Sequence, residues 1–217
     1  MNSSFSWEAF DSMPIVGILR NVPPQHMDKL AEVYFDAGLT TLEITMNSAR
    51  ATETISSLVH SFGGRLNVGA GTVCTLQDLD EALHAGAQFI VTPVLKKAVV
   101  KACVRQKVPV FPGAYTPTEI YKAWELGASM VKVFPAGQLG AGYIKEVLAP
   151  LNQLKLMPTG GINQENFTEY LKAGASGLGM GSHLIPKQLV AQEQWGQLHE
   201  HLAGFVEKYH HYQQQYS

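Results

Sequence analysis

The stretch Glu125-Leu126-Gly127-Ala128-Ser129-Met130-Val131-Lys132-Val133-Phe134-Pro135 contains both the unit from which the chain is built and the residue hardest to place in it. Its first four residues end a helix, with Gly127 at the left-handed position after the last turn, where a side chain is strained. Residues 130–134 then read as a core strand with β-branched Val131 and Val133 at its centre. Lys132 interrupts that strand. An ammonium group taken out of water without a partner is costly, so a buried lysine is paired or has a lowered pKa. An amine with a lowered pKa is a nucleophile toward carbonyl groups. On an edge strand the same lysine would need no such explanation, because its stem could pack while its head reached water.

The helix-to-strand junction recurs, as Asp36-Ala37-Gly38-Leu39, His84-Ala85-Gly86-Ala87, Glu125-Leu126-Gly127-Ala128 and Lys172-Ala173-Gly174-Ala175. The glycines are 48, 41 and 47 residues apart, which fits two strand-plus-helix units per step. Strand patterns fall at residues 15–20, 41–46, 67–72, 89–92, 109–113, 130–134, 154–159 and 177–182, with amphipathic segments between them. Helix starts are marked at Ser48-Ala49-Arg50, Thr75-Leu76-Gln77-Asp78 and Thr116-Pro117-Thr118-Glu119. The last two place an acidic residue three positions after a threonine cap. Strands that alternate with helices pair in parallel through crossovers. Eight such units predict an α/β chain closed as a (β/α)8 TIM barrel rather than an open doubly wound sheet. Residues 1–217 are expected to form one barrel domain, with an N-terminal helix around residues 5–10 closing one end and a C-terminal helix over residues 188–209. A closed barrel has no edge strand.

Hydrophobic residues make up 46% of the chain and charged residues 16%, enough for a large core and too apolar for disorder. A net charge of −2 and the lack of a Lys/Arg block argue against nucleic acid as a partner. No apolar run is long enough to span a membrane, and residues 1–8 lack the basic and apolar regions of a signal peptide. Cys74 and Cys103 show neither metal nor redox spacing and are expected to be free thiols of a cytoplasmic protein. His199, His201, His210 and His211 have no companion ligands and are expected on the solvated face of the C-terminal helix, so no metal site is predicted.

In this architecture the active site lies at the C-terminal ends of the strands. Alternation along residues 41–46 sends Leu42, Ile44 and Met46 toward the helices and leaves Thr41, Glu43 and Thr45 inside the barrel. By the same rule Val131 and Val133 face the helices and Lys132 faces inward. A buried ion pair often fails to repay its desolvation, so Glu43 and Lys132 read better as a proton-transfer group beside a nucleophile. Pro158-Thr159-Gly160-Gly161-Ile162-Asn163 closes the seventh strand, and Gly177-Leu178-Gly179-Met180-Gly181-Ser182 forms the eighth and its exit. Glycines let backbone N–H groups approach an anion, and these two strand ends are the usual phosphate site of the barrel. Arg20, at the end of the first strand, can hold a carboxylate by a bidentate contact. Thr72, after the third strand, adds a hydroxyl donor. Pro93 and the Pro112-Gly113 pair shape the pocket mouth.

Taken in order, one at each strand end, Ile18-Leu19-Arg20, Glu43-Ile44-Thr45, Gly69-Ala70-Gly71-Thr72-Val73, Val91-Thr92-Pro93, Pro112-Gly113, Lys132-Val133-Phe134-Pro135, Pro158-Thr159-Gly160-Gly161 and Gly181-Ser182 form a specific set. They resemble the 2-keto-3-deoxy-6-phosphogluconate aldolase family, class I aldolases on a (β/α)8 barrel. The resemblance implies that Lys132 forms a carbinolamine and then a Schiff base with the 2-keto group of a phosphorylated 2-keto-3-deoxy sugar acid. It implies that Glu43 shuttles protons, through a water, during C–C cleavage to pyruvate and glyceraldehyde 3-phosphate. It also implies that Thr72 and an arginine bind the carboxylate, while Gly160, Gly161 and Ser182 hold the phosphate. No metal or organic cofactor is implied, and the implied assembly is a homotrimer.

Two positions depart from the pattern. Phosphogluconate-type members often carry an arginine where this chain has Asn47, whereas phosphogalactonate-type members pair Asn-Ser there with an arginine after the first strand, as Arg20 is here. The glutamate often found after Phe-Pro-Ala is Gly137. Cleavage of 4-hydroxy-2-oxoglutarate is a companion activity of the family. The competing readings are a phosphosugar epimerase or isomerase on the same barrel, which needs no inward lysine, and a catalytically idle phosphate-binding barrel.

Overall fold

The computed structural model describes residues 4–216. Eight parallel strands, β1 (Ile15–Leu19), β2 (Thr41–Thr45), β3 (Asn67–Gly71), β4 (Ile90–Thr92), β5 (Val110–Ala114), β6 (Val131–Val133), β7 (Leu156–Pro158) and β8 (Leu178–Met180), form the inner wall. They pair in the order β7-β6-β5-β4-β3-β2-β1-β8. The seam between β7 and β8 is thin, held by a Thr159–Gly179 bridge and by the Ser176 N–H donating to the Leu156 carbonyl at 2.9 Å. β6 lies between β5 and β7, with Lys132 in register with Gly113 on one side and Met157 on the other. Lys132 is therefore not an edge lysine.

Helices α2 (Met27–Asp36), α3 (Ala51–Phe62), α4 (Leu76–His84), α5 (Lys97–Arg105), α6 (Pro117–Glu125), α7 (Gly140–Leu148) and α8 (Phe167–Lys172) connect successive strands, and α9 (Lys187–Ala191) and α10 (Trp195–Tyr216) follow β8. The capping boxes expected at Thr75 and Thr116 form, each with its hydroxyl accepting from the backbone three residues on and the acidic side chain accepting in return. The start expected at Ser48 does not. α3 begins at Ala51 behind a left-handed Arg50, with no side-chain cap. The Ser48 hydroxyl instead accepts from the Asn21 N–H and pairs with the Thr45 hydroxyl, tying the loop after β1 to the end of β2.

Period-two alternation divides the apolar residues into two cores. Leu42, Ile44, Val131, Val133, Leu156, Leu178 and Met180 pack outward against the helices. Val16, Phe89, Val91, Phe111, Met130 and Met157 point inward and fill the lower barrel. Phe5 and, from α1 (Trp7–Ser12), Trp7 and Phe10 complete that plug; α1 is a short helix set about two residues later than expected and capped by the Ser6 hydroxyl. The side-chain amide of Asn67, the first residue of β3, accepts from the Ser6 N–H and donates to the Ser6 carbonyl, and so fixes α1 under the barrel.

The single C-terminal helix expected over residues 188–209 is two helices. The chain breaks at Glu193, whose φ of 53° is left-handed, and α10 then runs on to Tyr216. Leu198, Leu202, Phe205 and Tyr209 are its buried face, and His210 and His211 are exposed. Among the described residues no three His, Cys, Asp or Glu side chains gather as a metal-ligand set, and no helix is long and apolar enough to cross a membrane.

Candidate active site

Above the aromatic plug the barrel interior turns polar. Glu43 and Lys132 are only 1% and 5% exposed, and the lysine Nζ lies 4.0 Å from Glu43 Oε1. Gly71 makes this possible, because a Cβ at that position would lie 2.7 Å from the Glu43 Cδ. Among the described residues no protein group hydrogen-bonds the buried Glu43 Oε2. Burial pushes the Glu43 carboxyl above its usual range, against the pull of Lys132 and Arg20. Burial holds the Lys132 amine below the usual lysine range. Glu43 opposes that shift and Arg20 reinforces it. Each group is thus moved toward its neutral form, and the neutral amine is the nucleophilic one.

A cavity of about 280 Å³ opens beside the pair. Of the residues expected at the site, Arg20, Thr159, Gly160, Gly161, Gly181 and Ser182 line it. Gly160 and Gly161 both have left-handed φ, at 91° and 74°. Gly161 packs against Gly137 in the loop after β6, where a side chain on either residue would crowd the other's backbone. Glycine at 137 therefore lets the loop after β6 pack closely on the Gly160-Gly161 turn.

Lys132, Glu43, Thr72 and Pro93 are not part of that cavity wall. Thr72 follows Gly71 at the mouth beside Glu43, and its φ of 57° is a strained value for a β-branched residue. The Pro93 carbonyl lies over Gly113, closer than any Cβ would allow. Sequence alternation missed Phe134. Expected to be buried at the strand end, it is 37% exposed, lines the cavity and lies with its ring centroid 5.4 Å from the Lys132 Nζ. Its place after Met130 and Lys132 on the inward-facing set was the available signal. His183 and Lys187 also line the cavity and carried no signal of their own.

A barrel that buries an amine beside a carboxyl group, under a cavity lined by an arginine and glycine turns, is equipped to attack carbonyl compounds that bear negative charge. The chain belongs to the KDPG and KHG aldolase family, whose model matches residues 8–201. It is 34% identical to 2-dehydro-3-deoxy-6-phosphogalactonate aldolase of Escherichia coli (strain K12), over 79% of this chain and 84% of that one. It is 36% identical to 2-dehydro-3-deoxy-phosphogluconate aldolase of Haemophilus influenzae, over 78% of this chain and 80% of that one. The KDPG aldolase of Legionella pneumophila, solved with pyruvate captured as a covalent carbinolamine, superposes with a TM-score of 0.85 at 27% identity, covering 91% of this chain and 96% of that one. Identity alone does not separate the two sugar-acid configurations.

Proposed function

We propose that the chain is a class I aldolase that cleaves a 2-keto-3-deoxy-6-phospho sugar acid to pyruvate and glyceraldehyde 3-phosphate. The observation that carries this reading is the buried Lys132–Glu43 pair, 4.0 Å apart, with Lys132 on β6 between β5 and β7 and its amine against Phe134, which lines the cavity. The neutral Lys132 amine adds to the C2 carbonyl, giving a carbinolamine that loses water to form a protonated imine. Glu43 Oε2, which has no hydrogen-bond partner among the described residues, takes the proton of the C4 hydroxyl, directly or through a water. As the C3–C4 bond breaks, its electron pair moves to the imine, leaving an enamine, and the aldehyde departs. Protonation of the enamine at C3 and hydrolysis release pyruvate and return the amine.

Arg20 and Thr72 take the substrate carboxylate, and Gly160, Gly161, Gly181 and Ser182 surround the phosphate. Thr159 and Pro93 shape the walls. Arg20 is the arginine whose charge is felt at both Glu43 and Lys132, and Asn47 stands where phosphogluconate-type members place theirs. This favours the phosphogalactonate substrate, which is to be assayed beside the phosphogluconate one. The whole chain serves as one catalytic unit in a reducing cytoplasm, consistent with free thiols at Cys74 and Cys103. Exposed apolar side chains at Leu76, Val94, Tyr115 and Tyr121 supply the contact surface of a homotrimer, to be checked by sedimentation.

Borohydride reduction in the presence of pyruvate tests the reading. A reduced pyruvyl adduct on Lys132, located by mass spectrometry, is expected. Cleavage activity without any adduct, or an adduct confined to another lysine, refutes it.

A further inference from the structure

The cavity wall contains two cationic side chains, Arg20 and Lys187, together with the imidazole of His183, and no acidic one. Arg20 serves the inner end, where its charge reaches Glu43 and Lys132. The other two come from the segment that leaves β8. That segment is held firmly. Gly181 accepts from the N–H groups of both Leu184 and Ile185, and those two side chains are buried in the outer core at 0% and 4% exposure. The His183 carbonyl accepts from His201 Nε2 of α10 at 2.8 Å. With Leu184 and Ile185 anchored inward, Ser182, His183 and Lys187 remain at the cavity surface. Lys187 makes no ion pair among the described residues, so its charge is not neutralised by a neighbour.

We infer that Lys187, with His183 beside it, sets the enzyme's preference for phosphorylated over unphosphorylated substrates by adding side-chain charge to a phosphate site otherwise built from backbone. The inference rests on the aldolase reading above and assigns specificity to residues that take no part in bond cleavage. A phosphate monoester is dianionic near neutral pH and meets the ammonium of Lys187 at the rim, whereas a substrate that ends in a carboxylate is shorter and carries one negative charge fewer there. An exposed cation facing a phosphate is a modest, salt-screened contact, so its loss is read as a change of selectivity.

The experiment compares kcat/KM for the phosphorylated sugar acid and for 4-hydroxy-2-oxoglutarate in the parent, Lys187→Ala, Lys187→Arg, His183→Ala and Lys172→Ala. Lys172 is an exposed cation on α8, away from the cavity, and controls for loss of charge as such. The ratio of phosphorylated to unphosphorylated activity is expected to fall about three- to tenfold in Lys187→Ala, through KM more than kcat, and to recover in Lys187→Arg. Lys172→Ala should keep the parental ratio. Calorimetric binding of glycerol 3-phosphate, an unreactive phosphate monoester, should weaken by a similar factor in Lys187→Ala, and less so at high salt. An unchanged ratio together with unchanged glycerol 3-phosphate binding in Lys187→Ala overturns the inference. If the parent cleaves neither substrate, the aldolase reading fails, and the glycerol 3-phosphate measurement still decides whether Lys187 binds phosphate.

Discussion

Gly71→Ala is the sharpest probe of the Glu43 position, because the glycine touches the chemistry only through one contact. Gly71 ends β3 in ordinary strand conformation, so alanine is acceptable to the backbone there. The added Cβ would lie 2.7 Å from the Glu43 Cδ, well inside contact distance, and would overlap Oε1. The carboxylate is the free end of a flexible side chain and can rotate away, so the stability cost should fall at the low end for overpacking, about 1 kcal/mol. In a chain of 217 residues that corresponds to a melting temperature lower by roughly 2–4 °C. The catalytic cost should be much larger. A displacement on the order of 1 Å is worth about a hundredfold, and general acid–base catalysis as a whole about 10²–10⁴. We expect kcat for cleavage to fall about a hundredfold, while borohydride trapping of pyruvate on Lys132 still runs to completion, since the amine is untouched. The control is the double variant with Glu43→Ala, which removes the group that the new methyl strikes. If Gly71→Ala acts through Glu43, the double variant has the kcat of Glu43→Ala alone and the two effects do not add. Parental kcat in Gly71→Ala, or full additivity in the double variant, would show that the position of Glu43 is not what the reaction depends on.

The pH dependence of adduct formation should show an inflection below the ordinary lysine value of about 10.4, because burial disfavours the charged amine. The same shift makes a stability prediction. Between the lowered pKa and the ordinary one, the unfolded chain holds a proton on Lys132 that the folded chain has released. Stability in urea should therefore rise with pH through that window in the parent, relative to Lys132→Met. Equal pH slopes for the two proteins would count against a lowered pKa. Tyr34→Phe tests the wall behind β1, where the fully buried hydroxyl donates to the Thr41 carbonyl at 2.7 Å and accepts from the Gly17 N–H at 3.1 Å. Its removal deletes both hydrogen bonds and should cost about 1–3 kcal/mol in urea denaturation, with little change in KM.

Much of this was legible because period-two alternation is a strong rule inside a barrel. It put Glu43 and Lys132 on the inner surface, and the repeated glycine junctions gave the strand count that left β6 without an edge. What was not legible depends on backbone states and long-range contacts that residue identity does not encode. The left-handed turns at Thr72 and Glu193 occur at residue types that do not announce them. Ser48 looked like a helix cap, yet its hydroxyl is taken by Asn21 and Thr45 from neighbouring strand ends. Phe134 was expected in the core because it is apolar, although its inward position at the strand end places it at an open mouth. His183 and Lys187 could not be assigned without knowing that Leu184 and Ile185 fasten the turn between them.

The barrel also explains why the reactive amine sits where it does. Lys132 is flanked in register by Gly113 and Met157, and Met130 and Met157 belong to the aromatic and sulfur-containing plug below it. That plug lies beneath the amine and contributes to the burial that lowers its pKa. A fully apolar interior would leave the charged form no partner, and a fully open one would leave the pKa unshifted. Glu43 at 4.0 Å and the cavity above supply the intermediate case, in which the amine is shifted toward its neutral form and, among the described residues, one oxygen of its partner carboxyl has no protein partner. A buried acceptor of this kind, without a protein partner, is completed by water or by a bound ligand. Its persistence is best understood if a proton of the substrate completes the site.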